Sequence, residues 1–189
     1  MTEAEARRAI VEYAALLWRR GLVAGTSGNL SYRLDGGLVL VTPAGRALRA
    51  LRDDELVLVR ADGAAAGPGR ATSELPLHLA AYRTRPDVRC VVHTHPTYCT
   101  AWSKTGALFP LDTVGAIESL GAVAFTAYAR SGSVELADRC AAAFALPADA
   151  VVMERHGLST VGATLEDAFA RTDLAEQTAT IEYLAATLS

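Results

Sequence analysis

Only four histidines occur in the chain, and two of them stand one residue apart in Val91-Val92-His93-Thr94-His95-Pro96. Alternate residues of a β-strand point to the same face, so this segment would hold two imidazoles about 6 to 7 Å apart at their Cα atoms. That spacing suits two ligands on one metal ion. A third histidine closes an apolar segment in Glu154-Arg155-His156-Gly157, and histidines at strand ends can meet at one point. Three imidazoles with a carboxylate or an open position are what zinc or a similar divalent ion takes. The best acidic partner is Glu74, in the short polar turn Ala71-Thr72-Ser73-Glu74 at the start of a helix. A carboxylate there can bind metal or move protons, whereas by itself it would only offset the helix dipole.

A second group of residues suits an anion. In Gly25-Thr26-Ser27-Gly28-Asn29 two glycines let the backbone bend sharply while Thr, Ser and Asn supply donors. Thr42-Pro43-Ala44-Gly45 and Thr72-Ser73 have the same small, donor-rich character. None of these is a P-loop or a dinucleotide fingerprint, and a plain turn explains any one of them. Other chemistries find less support. Lys104 is the only lysine, so Schiff-base catalysis would rest on one candidate. No G-x-S-x-G elbow is present, and Cys99 reads as a buried small hydrophobe.

These residues need a scaffold, and composition bounds it. The chain has 189 residues, 51% hydrophobic and 21% charged, which fits one compact domain over 1–189 and excludes disorder and coiled coil. A net charge of -3 gives no footprint for nucleic acid or an anionic membrane. Charged residues interrupt every apolar stretch short of a membrane span. The charged start MTEAEARR and three irregularly spaced cysteines imply a cytoplasmic protein with free thiols.

Periodicity supplies the elements. Residues 2 to 20 place Ala6, Ile10, Ala14, Leu17 and Trp18 on one helical stripe, with Thr2 and Glu5 spaced as a capping box. LSYRL and LVLVT flank Asp35-Gly36-Gly37 as a hairpin, and ELVLVR is a further short strand. A helix over 73–85 carries Pro76 in its first turn and ends before Pro86. A strand over Val88 to Thr94 follows. AVAFTAY and AVVMER also read as strands, separated by a helix from about Ser133, and a long Ala-rich helix runs from Thr164 to the end. The predicted class is α/β in the loose sense, a largely antiparallel sheet covered by helices.

Taken in order, GTSGNLSYR, VTPAG, ATSELPLHLAAYRTRPD, CVVHTHPTYCTAWS and VVMERHGLSTVG resemble the class II aldolase and adducin family, in particular its fuculose-phosphate aldolases. The resemblance runs from the first helix to the last. It implies a three-layer fold with helices on both sides of a central, largely antiparallel sheet. It also implies a homotetramer with active sites at subunit interfaces. The matching positions assign the metal to His93, His95 and His156, with Glu74 as ligand and catalytic acid/base. Zn²⁺ is the expected ion, with Mn²⁺ or Co²⁺ as alternatives. Thr26, Gly28, Asn29, Gly45, Thr72 and Ser73 would hold a substrate phosphate, Asn29 donating through its amide. The implied reaction is cleavage of a ketose 1-phosphate to dihydroxyacetone phosphate and an aldehyde, through an enediolate that the metal stabilises. A 4-epimerase, a methylthioribulose-phosphate dehydratase and a non-catalytic adducin-like oligomer share the scaffold.

Two departures bear on substrate. Leu111-Asp112-Thr113-Val114-Gly115 has no tyrosine where the fuculose-phosphate enzymes carry one, and no C-terminal tail with another aromatic follows Ser189. Tyr128, in Thr126-Ala127-Tyr128-Ala129-Arg130, is the candidate to replace the missing acid.

Overall fold

A computed structural model describes residues 1–146 and 148–188; Ser189, the end of the expected last helix, lies outside them. The opening helix α1 spans Glu3–Arg19. Its capping box forms as the spacing requires, Thr2 accepting from the Glu5 amide while the Glu5 carboxylate accepts from the Thr2 amide. Ala6, Ile10, Ala14 and Leu17 are fully buried along one stripe. Trp18 is only half-buried, and the Arg49 guanidinium lies over its ring at 5.0 Å.

Seven strands form the sheet: β1 (Asn29–Arg33), β2 (Val39–Val41), β3 (Val57–Val59), β4 (Cys90–Thr94), β5 (Val123–Thr126), β6 (Ala150–Met153) and β7 (Gly157–Gly162). Their order is β3-β2-β1-β4-β7-β6-β5, antiparallel throughout except for the parallel β5–β6 pair. The Asp35-Gly36-Gly37 hairpin closes where Leu34 N–H donates to the Leu38 carbonyl. On one face, Val39, Val91, Val151 and Val161 pack against α2 (Leu75–Thr84) and α4 (Val134–Ala145). On the other, Leu30, Leu40 and Val92 meet α1, while Val152 and Leu158 meet α3 (Thr97–Ser103) and α5 (Leu165–Leu188). The three-layer α/β arrangement is therefore the one expected.

The structure adds elements that periodicity does not show. β7, between β4 and β6, is buried at every residue, yet its Gly-Leu-Ser-Thr-Val-Gly sequence lacks the β-branched alternation of an ordinary strand. α3 is too short to display a helical stripe. A π-helical turn over Ala116–Leu120 follows the segment without tyrosine. β5 ends at Thr126 and β6 at Met153, so Tyr128 and Glu154-Arg155 lie beyond the strands assigned to them.

Candidate metal centre and anion cradle

Strand register assembles the site. Asn29 on β1 pairs with His93 on β4, and His93 pairs in turn with Ser159 on β7. His93 is 1% exposed and donates from Nδ1 to the Leu158 carbonyl at 3.0 Å, which leaves a lone pair on Nε2. His95 follows the strand end and brings its Nε2 to 3.0 Å from His93 Nε2. His156 belongs to the tight connection between β6 and β7, where Arg155 takes a left-handed φ of 56°. Gly157 permits that connection by close approach: a Cβ there would lie 2.3 Å from the Thr94 carbonyl oxygen and 2.8 Å from the His95 ring. The three imidazole centroids are 4.8, 4.9 and 5.2 Å apart.

Glu74 approaches from the start of α2 and is 4% exposed. Its Oε2 lies 3.6 Å from His93 Nε2 and 3.7 Å from His156 Nε2. Oε1 accepts a hydrogen bond from the Ser131 hydroxyl, whereas Oε2 is buried with no hydrogen-bond partner.

This donor set fits a divalent cation. Ligand atoms of His93, His95 and His156 all lie within 4.8 Å of one another. Around a tetrahedral ion with bonds near 2.0 Å, neighbouring donors sit about 3.3 Å apart. Burial depresses all three imidazoles, His93 well below the ordinary histidine value and His95 to about 4, so they stay neutral and able to donate lone pairs. An unpartnered buried carboxylate oxygen beside neutral rings is costly unless a cation completes it.

A cavity of about 130 Å³ adjoins the histidines. Thr26, Gly28, Asn29, Gly45, Thr72 and Ser73 all line it, together with the histidines and Glu74. Gly28 is required there, since its φ is +81° and a Cβ would meet Val23 Cγ1 at 2.4 Å and the His93 carbonyl at 3.2 Å. The cradle contains no cationic side chain, so an anion would be held by neutral donors and the neighbouring ion. A larger depression of about 530 Å³ beside Arg7, Asp53 and Leu56 has no histidine in its lining.

Tyr128 is placed differently. It is 54% exposed, does not line the cavity, and packs its ring 6.0 Å from the Arg155 guanidinium. Sequence reading missed two contributors. Ser131 had no signal beyond its place in a Gly/Ser turn, and His78, the fourth histidine, is hidden inside the helix pattern of α2.

Comparison with known proteins places the chain in a family. Residues 8–183 match the family described as class II aldolase and adducin N-terminal domain, and the chain belongs to that family. It is 34% identical to an L-fuculose phosphate aldolase of Methanococcus vannielii over 92% of this chain and 93% of that one. It is also 34% identical to a 3-oxo-tetronate 4-phosphate decarboxylase of Haemophilus influenzae, over 95% of this chain and 87% of that one. The crystal structure of YgbL from Klebsiella pneumoniae superposes with a TM-score of 0.93 at 29% identity, covering 100% of this chain and 93% of that one.

Proposed function

We propose that the protein is a metal-dependent aldolase that cleaves a ketose 1-phosphate to dihydroxyacetone phosphate and an aldehyde. The observation that carries this reading is the meeting of three neutral imidazoles and the free Glu74 oxygen at the edge of a donor-lined cavity. His93, His95 and His156 would hold a divalent ion, which would supply electrophilic polarisation of the substrate carbonyl. Asn29, Thr26, Thr72 and Ser73 bind and orient the phosphate, with Gly28 and Gly45 leaving the backbone open to it. Glu74, held through Oε1 by Ser131, keeps Oε2 in position to accept and return a proton at the reacting carbon. Zinc is the preferred ion by donor type, with Mn²⁺ or Co²⁺ able to replace it. A homotetramer in the cytoplasm completes the reading, with the exposed apolar Val114 and Ile117 as candidates for a subunit contact.

The test is incubation of zinc-loaded protein with a panel of ketose 1-phosphates, with dihydroxyacetone phosphate as readout. Product from at least one is expected; none from any, with zinc shown bound, would overturn the reading. The Haemophilus influenzae relative supports a second reaction at the same site, decarboxylation of a phosphorylated 3-oxo acid. That reaction needs the phosphorylated 3-oxo acid as substrate and would release carbon dioxide together with dihydroxyacetone phosphate, so the substrate accepted and the absence of an aldehyde product tell it apart.

A further inference from the structure

His78 has no place in the ligand set, yet it is fully buried within reach of the cradle. It stands one helical turn after Glu74 on α2. Its Nε2 lies 2.5 Å from Asn29 Oδ1, and its Nδ1 lies 2.6 Å from the Ser31 hydroxyl. Ser31 continues the chain to the Tyr82 hydroxyl at 2.7 Å, and that hydroxyl lies 3.2 Å from the Arg89 carbonyl. Four buried polar side chains in series are retained only where every donor and acceptor is used.

Proton directions follow from the Asn29 end, because Oδ1 can only accept and His78 Nε2 therefore donates to it. His78 Nδ1 then accepts from the Ser31 hydroxyl, and the Tyr82 proton lies between the Ser31 oxygen and the Arg89 carbonyl, both of which can accept it. Burial lowers His78 to about 3, so the ring carries a single proton, which must sit on Nε2. We propose that His78 is a positioning residue for the anion cradle, donating from Nε2 to Asn29 Oδ1 and so turning the amide N–H bonds of Asn29 toward the substrate phosphate. The reverse arrangement would turn the Asn29 oxygen toward an anion. The proposal rests on the phosphate reading given above and assigns this chain's remaining histidine a part in substrate affinity.

The experiment compares two polar variants of the zinc-loaded protein, with inorganic phosphate as probe and titration calorimetry as readout. His78→Gln can place an amide nitrogen near the position of Nε2, whereas His78→Asn can replace only Nδ1. His78→Asn is expected to bind phosphate about tenfold more weakly at unchanged zinc content, and His78→Gln within about threefold of wild type. In an Asn29→Ala background, His78→Asn should have no further effect. Equal phosphate binding by wild type and His78→Asn, or an additive loss in that background, overturns the proposal. Absence of phosphate binding by wild type overturns the cradle reading instead. The ¹⁵N spectrum of the wild-type His78 ring then decides the assignment, as it also does should His78→Asn fail to fold. A proton on Nε2 is expected, and a proton on Nδ1 would overturn it.

Discussion

Asn29 and His93 stand directly opposite each other in the antiparallel β1–β4 pair, so the anion cradle and the metal centre are two sides of one ladder position. A slip of one residue in β1 would turn the Asn29 side chain to the opposite face, away from His93. Backbone register therefore fixes where the candidate anion cradle and the candidate metal centre meet.

The histidine cluster gives the first prediction. His93→Ala or His156→Ala should take bound zinc from one ion per chain to near none, measured by elemental analysis after dialysis. His93 lies within a strand paired on both sides, so the far-ultraviolet circular dichroism should be kept. Full zinc retention in either variant would remove these residues from the ligand set.

Glu74→Gln preserves the shape and can still accept from Ser131, but it cannot take up a proton. Turnover on an accepted ketose 1-phosphate should fall by about 10² to 10⁴-fold. Zinc should remain, because three imidazoles still converge. Unchanged turnover would exclude Glu74 as the proton carrier.

Gly157→Ala places a methyl group 2.3 Å from the Thr94 carbonyl, a backbone atom that cannot swing aside. Destabilisation of at least about 2 kcal/mol in urea unfolding is expected. Zinc affinity should fall with it, since the same Cβ presses on the His95 ring.

Glu176 on α5 accepts from the Tyr98 and Cys99 amides at 2.9 Å each, capping α3, which Pro96 leaves without a side-chain cap. Glu176→Ala strands those two N–H groups at a cost of about 1 to 3 kcal/mol. A thermal unfolding series should show the loss, with weaker zinc binding because α3 starts two residues after His95.

Acid stability should carry the mark of His78, whose value is lowered from 6.5 to about 3 by burial. Between those values the unfolded chain takes a proton that the folded chain refuses. The contribution is thus whole above pH 6.5 and is lost as pH falls toward 3, at about 1.4 kcal/mol per pH unit. On moving from pH 7 to pH 5, metal-free wild type should lose about 2 kcal/mol more than metal-free His78→Gln. Parallel losses in urea unfolding would contradict the buried neutral ring.

Much of the site is legible before folding because it uses scarce or constrained residues. His-x-His at a strand end, His-Gly after an apolar segment and three small donor-rich turns are local patterns, and all of them line one cavity. Glu74 is legible through its place at a helix start. Ser131 and His78 are not, because a serine in a turn and a histidine within a helix carry no local sign of their partners. β7 escapes notice for a related reason. It is a buried interior strand of the sheet, where packing from α5 and pairing with β4 and β6 override the weak strand preference of Gly, Ser and Thr.

The amino-acid order by itself determines the element types where periodicity is strong, the family membership, and the residue types able to bind a cation and an anion. Tertiary structure decides which of them share a point in space. Strand register sets Asn29 against His93, and the β6–β7 connection carries His156 to within reach of β4. The same packing leaves Tyr128 outside the cavity and draws His78 in behind Asn29. Those outcomes depend on contacts between residues 26 to 66 positions apart, for which a single sequence holds no local signal.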